Sequence, residues 1–563
     1  MFYKINFIFS FISIALFFIS WIFNGIFELQ LINDIYSFSQ LCVISFYFII
    51  FLIRIFYRDK NNAKVNNFVF DIFIIIFILI DKIFCMLPSD IKSLNIEYFF
   101  IAIRIFFMHK YSPANVRLMR YPERSVIISY AATIFYGALL LSLPFSWQPN
   151  VCLSFIDAFF ISTSASCITG LVSVDLSTTF SLAGQVIICT LVQLGGIGIM
   201  IFSVIIAFTF NKHFSLEETR AASTDINESD ISSIQKIIPQ IILISFIFEG
   251  IGFVLFFSKF ITMFSFPKAF YYAVFHSVSA FCNAGFSLFP DNLMQFYNSP
   301  LTVFTVSFLV ISGGLGFHVI QNAFSYIKDR MKRKYMYKRK TLSETSKIIL
   351  AGTIFLLLAG TYLFYALEHG NTLKKLSTPT QYLTAFFQSV TLRSAGFNTV
   401  NFSELTHATQ IMMLIFMFIG AGPGSTGGGI KITSFVILCA AVYSYITERK
   451  QTVLFRKAVR SEIVTKVFVS FFYSIGMLFI GLFLLVLSVP EIPISDLLFE
   501  TVSAFATVGA STGITQGLNI SGKLILISLM FAGKVGTLTL FSAVTSKKNN
   551  TKIEYPSANI NVG

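Results

Sequence analysis

Four polar turns, each centred on a glycine, recur at nearly equal intervals along a chain that is otherwise strongly apolar. The aligned glycines are 115, 111 and 113 residues apart: Gly170, Gly285, Gly396 and Gly509. Each turn follows an apolar run too short to cross a bilayer, since a spanning helix needs about 20 residues. Each also precedes a longer apolar run that holds a second glycine cluster. Repeats of this kind indicate an array of one structural unit, and we predict four units, each with a helix, a half-length helix, a turn and a second helix.

Composition places this array in a membrane. Of the 563 residues, 55% are hydrophobic and only 12% are charged, whereas soluble domains carry roughly 25% charged residues. Four more apolar runs precede residue 110. The predicted fold class is an all-α membrane protein, with four repeats around a pseudo-four-fold pore and about four extra transmembrane helices before them. A cytosolic globular protein is excluded.

The predicted domain boundaries follow the repeats. They are 1–110 for the N-terminal transmembrane helices, 111–225, 226–345, 346–455 and 456–546 for pore repeats one to four, and 547–563 for a cytoplasmic tail. The N-terminal block includes Arg54 and Arg104 in or beside its apolar runs. A voltage sensor needs several spaced arginines on one helix, so a packing or assembly role is predicted instead.

The excess of basic residues marks the cytoplasmic side. Lysine and arginine number 41 against 27 acidic residues, and the strongest basic cluster, at residues 328–340, is a short bridge between apolar runs. The positive-inside rule assigns such loops to the cytoplasm. The half-length helices then enter from the outer side, and both termini of this multi-pass protein lie in the cytoplasm of a bacterium. Nucleic acid is not an expected partner, because its binding needs basic residues on a folded face.

The four turns predict a pore lined by backbone. Non-helical backbone survives at membrane depth only where it lines a protein-enclosed or water-filled path. The turns read CITG, CNAG, RSAG and ATVG and hold no acidic residue and no histidine, so backbone carbonyls are the expected ligands. Glycine permits the positive φ values that turn successive carbonyls the same way, and rings of carbonyls replace the hydration shell of K⁺. The C-terminal ends of the half-length helices disfavour anions.

Only the fourth turn keeps the Thr-Val-Gly sequence of a potassium filter, so we expect potassium to be preferred over sodium with imperfect discrimination. The predicted K⁺-binding residues are Cys167, Ile168, Thr169, Gly170, Cys282, Asn283, Ala284, Gly285, Arg393, Ser394, Ala395, Gly396, Ala506, Thr507, Val508 and Gly509. For Arg393, the alternative is a solvated charge on the outer surface.

An interrupted helix follows the third turn. The run GAGPGSTGGGIK holds more glycine and proline than a continuous helix tolerates; it forms either a movable barrier or a passive kink. Its formal G-x-G-x-x-G follows no strand and does not indicate nucleotide binding. Lys534, an ammonium at membrane depth, is a candidate functional residue, with snorkelling to the inner surface as the alternative. The predicted gate residues are Gly422, Pro423, Gly424, Ser425, Thr426, Gly427, Gly428, Gly429 and Lys534.

These motifs also carry a family resemblance. CITGLVSVD, FCNAGF, RSAGFNTVNF, TVGAS, GPGSTGGGIKITSF and GKVGTLTL occur in family order and resemble the superfamily of K⁺ transporters that includes TrkH and KtrB, over residues 111–545. The resemblance implies potassium uptake through a pseudo-four-fold pore, an intramembrane gate loop and a homodimer. It also implies control by a cytoplasmic nucleotide-binding ring of the TrkA or KtrA type. The family usually has arginine where this chain has Lys534.

Other function classes fit less well. A secondary transporter of another small solute, including a Na⁺-coupled one, favours two inverted halves, whereas four parallel repeats are predicted here. An enzyme needs converging catalytic or metal-binding groups, and the seven cysteines show no metal-binding spacing. We therefore predict no enzymatic activity and no organic cofactor in this chain, with K⁺ as the transported ion. Channel-like flow and coupled uptake both remain open.

Overall fold

A computed structural model of the protein describes residues 122–148, 153–198, 231–331 and 342–536. The predicted N-terminal helices of residues 1–110 and the tail of residues 547–563 lie outside these ranges. Within them the chain is almost entirely helical. Its one sheet there is a hairpin of two-residue strands, in which Val453 pairs with Ala458. The strands are β1 (Val453–Leu454) and β2 (Lys457–Ala458).

The described helices form four successive groups. The first group is α1 (Pro122–Leu141), the half-length helix α2 (Phe155–Ser166), the one-turn α3 (Leu176–Thr179) and α4 (Leu182–Ile197). The second is α5 (Ile231–Phe260), the half-length α6 (Phe266–Phe281), α7 (Pro300–Leu315) and α8 (Phe317–Met331). The third is α9 (Glu344–Glu368), the half-length α10 (Thr378–Thr391), α11 (His407–Phe418) and α12 (Ile432–Ile446). The fourth is α13 (Ser461–Ser488), the half-length α14 (Ile494–Phe505) and α15 (Ile520–Val535). Short 3-10 turns lie at Pro144–Ser146, Met294–Phe296, Phe402–Glu404 and Ile514–Gly517.

Local sequence signals explain where these helices begin. Ser181, Thr406 and Asn519 cap the helices that follow the turns, each by accepting a hydrogen bond from a backbone N–H in the first turn. Proline occupies one of the first two positions of α6, α7 and α10, where its missing N–H costs no helical hydrogen bond. The short elements are therefore set by capping chemistry as well as by packing.

Three described helices are long and apolar enough to cross a membrane: Gln240–Phe260, Glu344–Glu368 and Ser461–Ser488. They are the first helices of the second, third and fourth groups. Only 33%, 28% and 17% of their most apolar windows are buried in the protein, so most of their apolar surface faces outward. A long apolar helix that exposes its side chains is stable in lipid and not in water.

The second helices are interrupted in more than one group. In the second group, α7 and α8 are bent by 98° around Gly316, whose φ is +91°. The helices α4 and α15 end at Gly198 and Gly536, with φ of +97° and +88°. An interruption was predicted in the third repeat, and the second group has a bend at Gly316 that the sequence did not reveal.

A buried carboxylate fastens the ends of the third group together. Glu368, at the end of α9, is fully buried. Its Oε1 accepts hydrogen bonds from the Thr406 backbone N–H at 3.0 Å and from the Thr409 hydroxyl at 2.5 Å. Its Oε2 accepts from Asn371 Nδ2 at 2.8 Å and from the Thr372 hydroxyl at 2.9 Å. Because several neutral groups donate hydrogen bonds to it, this carboxylate is satisfied by hydrogen bonds alone.

Candidate functional site

The four glycine turns meet one another in cyclic order. A methyl group built on each glycine would collide with the backbone carbonyl oxygen of the next turn, and a real Cβ never approaches another atom so closely. The colliding pairs are Gly170 with Ala284, Gly285 with Ala395, Gly396 with Val508, and Gly509 with Thr169. Since the fourth pair returns to the first turn, the turns form a closed ring around one axis.

Each turn has the same backbone pattern, in which two residues with a left-handed conformation flank one residue without it. Two residues before each glycine, a non-glycine residue adopts the left-handed region: Ile168 at φ +57°, Asn283 at +59°, Ser394 at +68° and Thr507 at +50°. The glycines themselves have φ of +89°, +70°, +70° and +85°. Left-handed conformations cost energy for residues with a Cβ, so their recurrence at four equivalent positions marks a shared constraint on the direction of the carbonyls.

In each turn, the residue between the two left-handed positions has a bonded N–H group and an unbonded carbonyl group. Its N–H donates to a carbonyl in the preceding half-length helix: Thr169 to Ser164, Ala284 to Ser279, Ala395 to Thr391 and Val508 to Ser503, at 2.8–3.0 Å. Among the described residues, no donor reaches the carbonyl oxygens of Thr169, Ala284, Ala395 or Val508. Buried carbonyls are rarely left without a partner. The ring therefore presents four acceptors to which no residue in the described ranges donates.

All sixteen predicted turn residues lie in this ring or at its base. Fourteen of them are buried, and Gly170 and Gly509 are half-buried. Arg393 is only 5% exposed, and within the described part of the chain its Nε and Nη2 have no hydrogen-bond partner. The alternative of a solvated outer charge is therefore wrong for Arg393, because its half-length helix ends inside the protein.

The glycine-rich loop lies directly against the third and fourth turns. The backbone N–H of Gly428 donates to the Thr507 hydroxyl at 2.9 Å. A methyl group on Gly427 would collide with Ser394, 2.8 Å from its Cβ. These contacts fall on the second residues of the turns RSAG and ATVG, near the end where the half-length helices finish. The loop therefore lies against that end of the ring.

Backbone hydrogen bonds connect the loop to the bend in the second group. Gly422 N–H donates to the Gly314 carbonyl at 3.0 Å, and Phe317 N–H donates to the Gly424 carbonyl at 3.1 Å. The two ends of the loop are joined by a hydrogen bond of 2.8 Å from Gly420 N–H to the Ile430 carbonyl. The loop thus contacts three of the four groups and is more than a kink within α11 and α12.

Two lysines donate to carbonyls of the loop. Lys534 Nζ, from α15, donates to the Thr426 carbonyl at 2.7 Å, so this lysine points to the loop rather than extending to the inner surface. Lys431 Nζ donates to the Gly427 carbonyl at 2.6 Å. Lys431 was not predicted as a site residue, although its position at the end of the GGGIK motif was a usable signal.

Comparison with known proteins identifies the family. The model of TrkH, a cation transport protein family, matches residues 91–553. The chain belongs to the TrkH family. The Ktr system potassium uptake protein B of Bacillus subtilis (strain 168) is 36% identical over 445 residues, which cover 78% of this chain and 97% of that protein. The protein of the same name from Vibrio alginolyticus is 36% identical over 442 residues, covering 78% and 94%.

The fold is shared with a solved member of the TrkH family. The crystal structure of the potassium transporter TrkH from Vibrio parahaemolyticus superposes with a TM-score of 0.61 at 19% identity, covering 86% of this chain and 98% of that one. The predicted resemblance and the predicted all-α membrane fold class are thereby confirmed. The protein is a multi-pass membrane cation transporter of this family.

An ion pair joins the first and fourth helix groups of this TrkH-family protein. Asp157, in the first turn of α2, accepts from Lys523 Nζ of α15 at 2.7 Å, and the two side chains are only 14% and 13% exposed. Burial alone would raise the pKa of Asp157, but hydrogen bonds from Lys523, Ser154 and Ser173 hold that pKa below its ordinary value. The carboxylate is therefore charged at neutral pH and paired.

We expect Asp157→Asn and Lys523→Met each to lower the thermal stability of the purified protein, because each leaves one partner of a mostly buried pair without its counter-charge. The double variant should lose less stability than the sum of the two, with a coupling free energy of about 1–3 kcal/mol. Unfolding of the parent and the three variants in one detergent measures this coupling. Additive losses would mean that the pair contributes no interaction of its own.

Proposed function

We propose that this protein takes up potassium across the cytoplasmic membrane through the ring of four turns. The observation that carries the proposal is the set of four carbonyls of buried residues, at Thr169, Ala284, Ala395 and Val508, that receive no donor from the described residues. A dehydrated monovalent cation on the axis satisfies all four at once, as in other carbonyl-lined filters. The relatives' names agree, since both are potassium uptake proteins.

The sixteen turn residues are proposed as the selectivity filter, with K⁺ as the transported ion. Left-handed residues at equivalent positions hold the carbonyls in one orientation, and the absence of acidic side chains from the turns leaves the main chain as the ligand. Only one of the four turns carries Thr-Val-Gly, so selectivity for potassium over sodium is proposed to be incomplete.

Residues 422–429 are proposed as the gate, with Lys534 and Lys431 holding it closed. Support comes from the contacts of the loop with Ser394 and Thr507 at the base of the filter and from the two lysine hydrogen bonds. The loop blocks the axis in this state, and its displacement opens the path. The loop has no helix or strand of its own, so its displacement breaks its contacts with the neighbouring groups without unfolding a regular element.

The assembly proposed for this chain is a homodimer in the inner membrane of a bacterium, surrounded by lipid, with both termini in the cytoplasm. Both relatives are named as components of a Ktr system, which supports a regulatory partner. A cytoplasmic nucleotide-binding ring of the KtrA or TrkA type is the proposed partner. It would act on the gate from the cytoplasmic side.

Growth of a host that lacks its own potassium uptake systems tests the function. We expect the parent chain to restore growth at low external potassium and purified protein in liposomes to accumulate radioactive rubidium, a potassium substitute. Because the proposed gate is closed without a regulatory partner, the liposome assay also uses the variant that lacks residues 422–428, in which the barrier is removed. Failure in both assays, with correctly inserted protein, would contradict potassium uptake.

A further inference from the structure

In the second, third and fourth groups, one polar residue of the half-length helix is hydrogen-bonded to the chain that leaves the turn. His276, in α6, is hydrogen-bonded to the Ser287 hydroxyl at 3.1 Å. Gln388 Nε2, in α10, donates to the Thr399 hydroxyl at 3.0 Å. In α14 the corresponding residue is Glu500, which accepts from the Ser511 hydroxyl. The first group has the apolar Ile161, which lies nine residues before its glycine, as His276 and Glu500 do, whereas Gln388 lies eight residues before its own. The fourth group therefore differs by a buried carboxyl group.

Glu500 is fully buried, and no lysine or arginine of the described ranges forms an ion pair with it. The ion pairs among the described residues join Lys347 and Lys457 to Glu344, and Lys523 to Asp157. The Ser511 hydroxyl donates to the carboxylate, and such a donor favours its ionised form. A buried charge of this kind is costly unless another charge compensates it.

Three oxygens around this carboxylate have no hydrogen-bond partner in the described part of the chain: Glu500 Oε2, Ser503 Oγ and Thr512 Oγ1. Ser503 is one helical turn from Glu500, on the same face of α14. The equivalent serines of the first and second groups do have partners, since Ser164 accepts from Gly170 N–H and Ser279 donates to the Phe286 carbonyl. None of these three oxygens is satisfied by the described residues.

We propose that a single alkali cation binds off the axis in the fourth group, between α14 and the chain that follows Gly509, with Glu500, Ser503 and Thr512 as its side-chain ligands. One carboxylate and two neutral hydroxyls match a single positive charge. Divalent ions such as Ca²⁺ take six to eight oxygens, usually with more carboxylates, and the described residues contain no cluster of three or more acidic, histidine or cysteine side chains.

This site is distinct from the proposed filter, because its ligands are side chains and the filter's are main-chain carbonyls. It nevertheless lies against the filter, since Ser511 is two residues beyond Gly509. An ion held there would neutralise the carboxylate and stabilise the chain that leaves the fourth turn.

Ion binding to purified full-length protein tests the proposal independently of transport. Equilibrium binding of radioactive sodium, and of radioactive rubidium in place of potassium, is measured with choline as the balancing cation. Whichever of the two cations fills the site, we expect Glu500→Gln to lose one bound ion per chain or to bind that ion at least about tenfold more weakly. Glu500→Asp, which keeps the charge, should retain the ion.

Two controls separate this site from the filter and from general damage. His276→Gln changes the equivalent position of the second group without altering its charge and should leave the count of ions unchanged. Gly285→Ser, on the opposite side of the ring, should reduce filter binding but preserve the ion that depends on Glu500. Equal ion counts in the parent and Glu500→Gln, with both proteins folded, would overturn the proposal and indicate a bound water or proton instead.

Discussion

Replacing Gly509 by serine is expected to abolish potassium-selective uptake. Gly509 has a φ of +85°, and a Cβ there would collide with the Thr169 carbonyl oxygen and lie 2.9 Å from the Gly170 Cα. Backbone cannot move aside as a flexible side chain can, so the first and fourth turns must separate. The carbonyl ring then loses the geometry that compensates for ion dehydration. We expect rubidium uptake to fall at least about tenfold, or discrimination against sodium to be lost; a tenfold change corresponds to about 1.4 kcal/mol.

Gly513→Ser is the matched control for this prediction. Gly513 lies four residues further along the same segment and also has a left-handed backbone, with φ of +96°, but a Cβ there meets nothing within 4 Å. It therefore imposes the same kind of conformational strain without contact between turns. Uptake by Gly513→Ser should stay close to that of the parent. If both serine variants behave alike, strain rather than the ring explains the loss.

Removing the lysines that hold the loop is expected to raise cation flux in the absence of any regulatory partner. Lys534 and Lys431 donate to the Thr426 and Gly427 carbonyls at 2.7 and 2.6 Å. A hydrogen bond from a charged donor contributes about 1.5–3 kcal/mol. Losing one of them shifts the closed-to-open equilibrium about tenfold or more towards the open state. Rubidium flux into liposomes that contain Lys534→Met or Lys431→Met measures the change.

Three further variants give the gate prediction its controls. Lys466→Met removes an exposed lysine of α13 and should leave flux unchanged, whereas Lys534→Arg keeps the charge and should keep the loop closed. Deletion of residues 422–428 removes the barrier itself and should raise flux most. Unchanged flux in the deletion variant and in both methionine variants, in normally assembled protein, would contradict a gating role for the loop.

Much of the site could be predicted because repetition is visible in a sequence. Four glycines at matched spacing, each after an apolar run too short to cross a membrane, leave few arrangements in which irregular backbone avoids lipid. The sequence also singled out Lys534, because an ammonium at membrane depth is conspicuous. The loop itself was identified from the density of glycine and proline in residues 420–429.

Other features depend on contacts that periodicity does not encode. The bend of 98° between α7 and α8 occurs at a single glycine within an apolar run, and glycine is common in membrane helices without a bend. The burial of Arg393 depends on where its half-length helix ends. The hydrogen bond of Lys431 to the loop depends on how α12 begins after the loop closes on itself.

The sequence by itself determined that the chain is a membrane protein of four repeats with glycine turns, because hydropathy and spacing are local properties of the chain. Only the tertiary structure decided that the turns close into one ring, since each glycine contacts a residue more than a hundred positions away. The same holds for the partners of Lys534 and Asp157 and for the orphaned oxygens around Glu500. Which groups meet across such distances is decided when the helices pack together, and no local pattern records it.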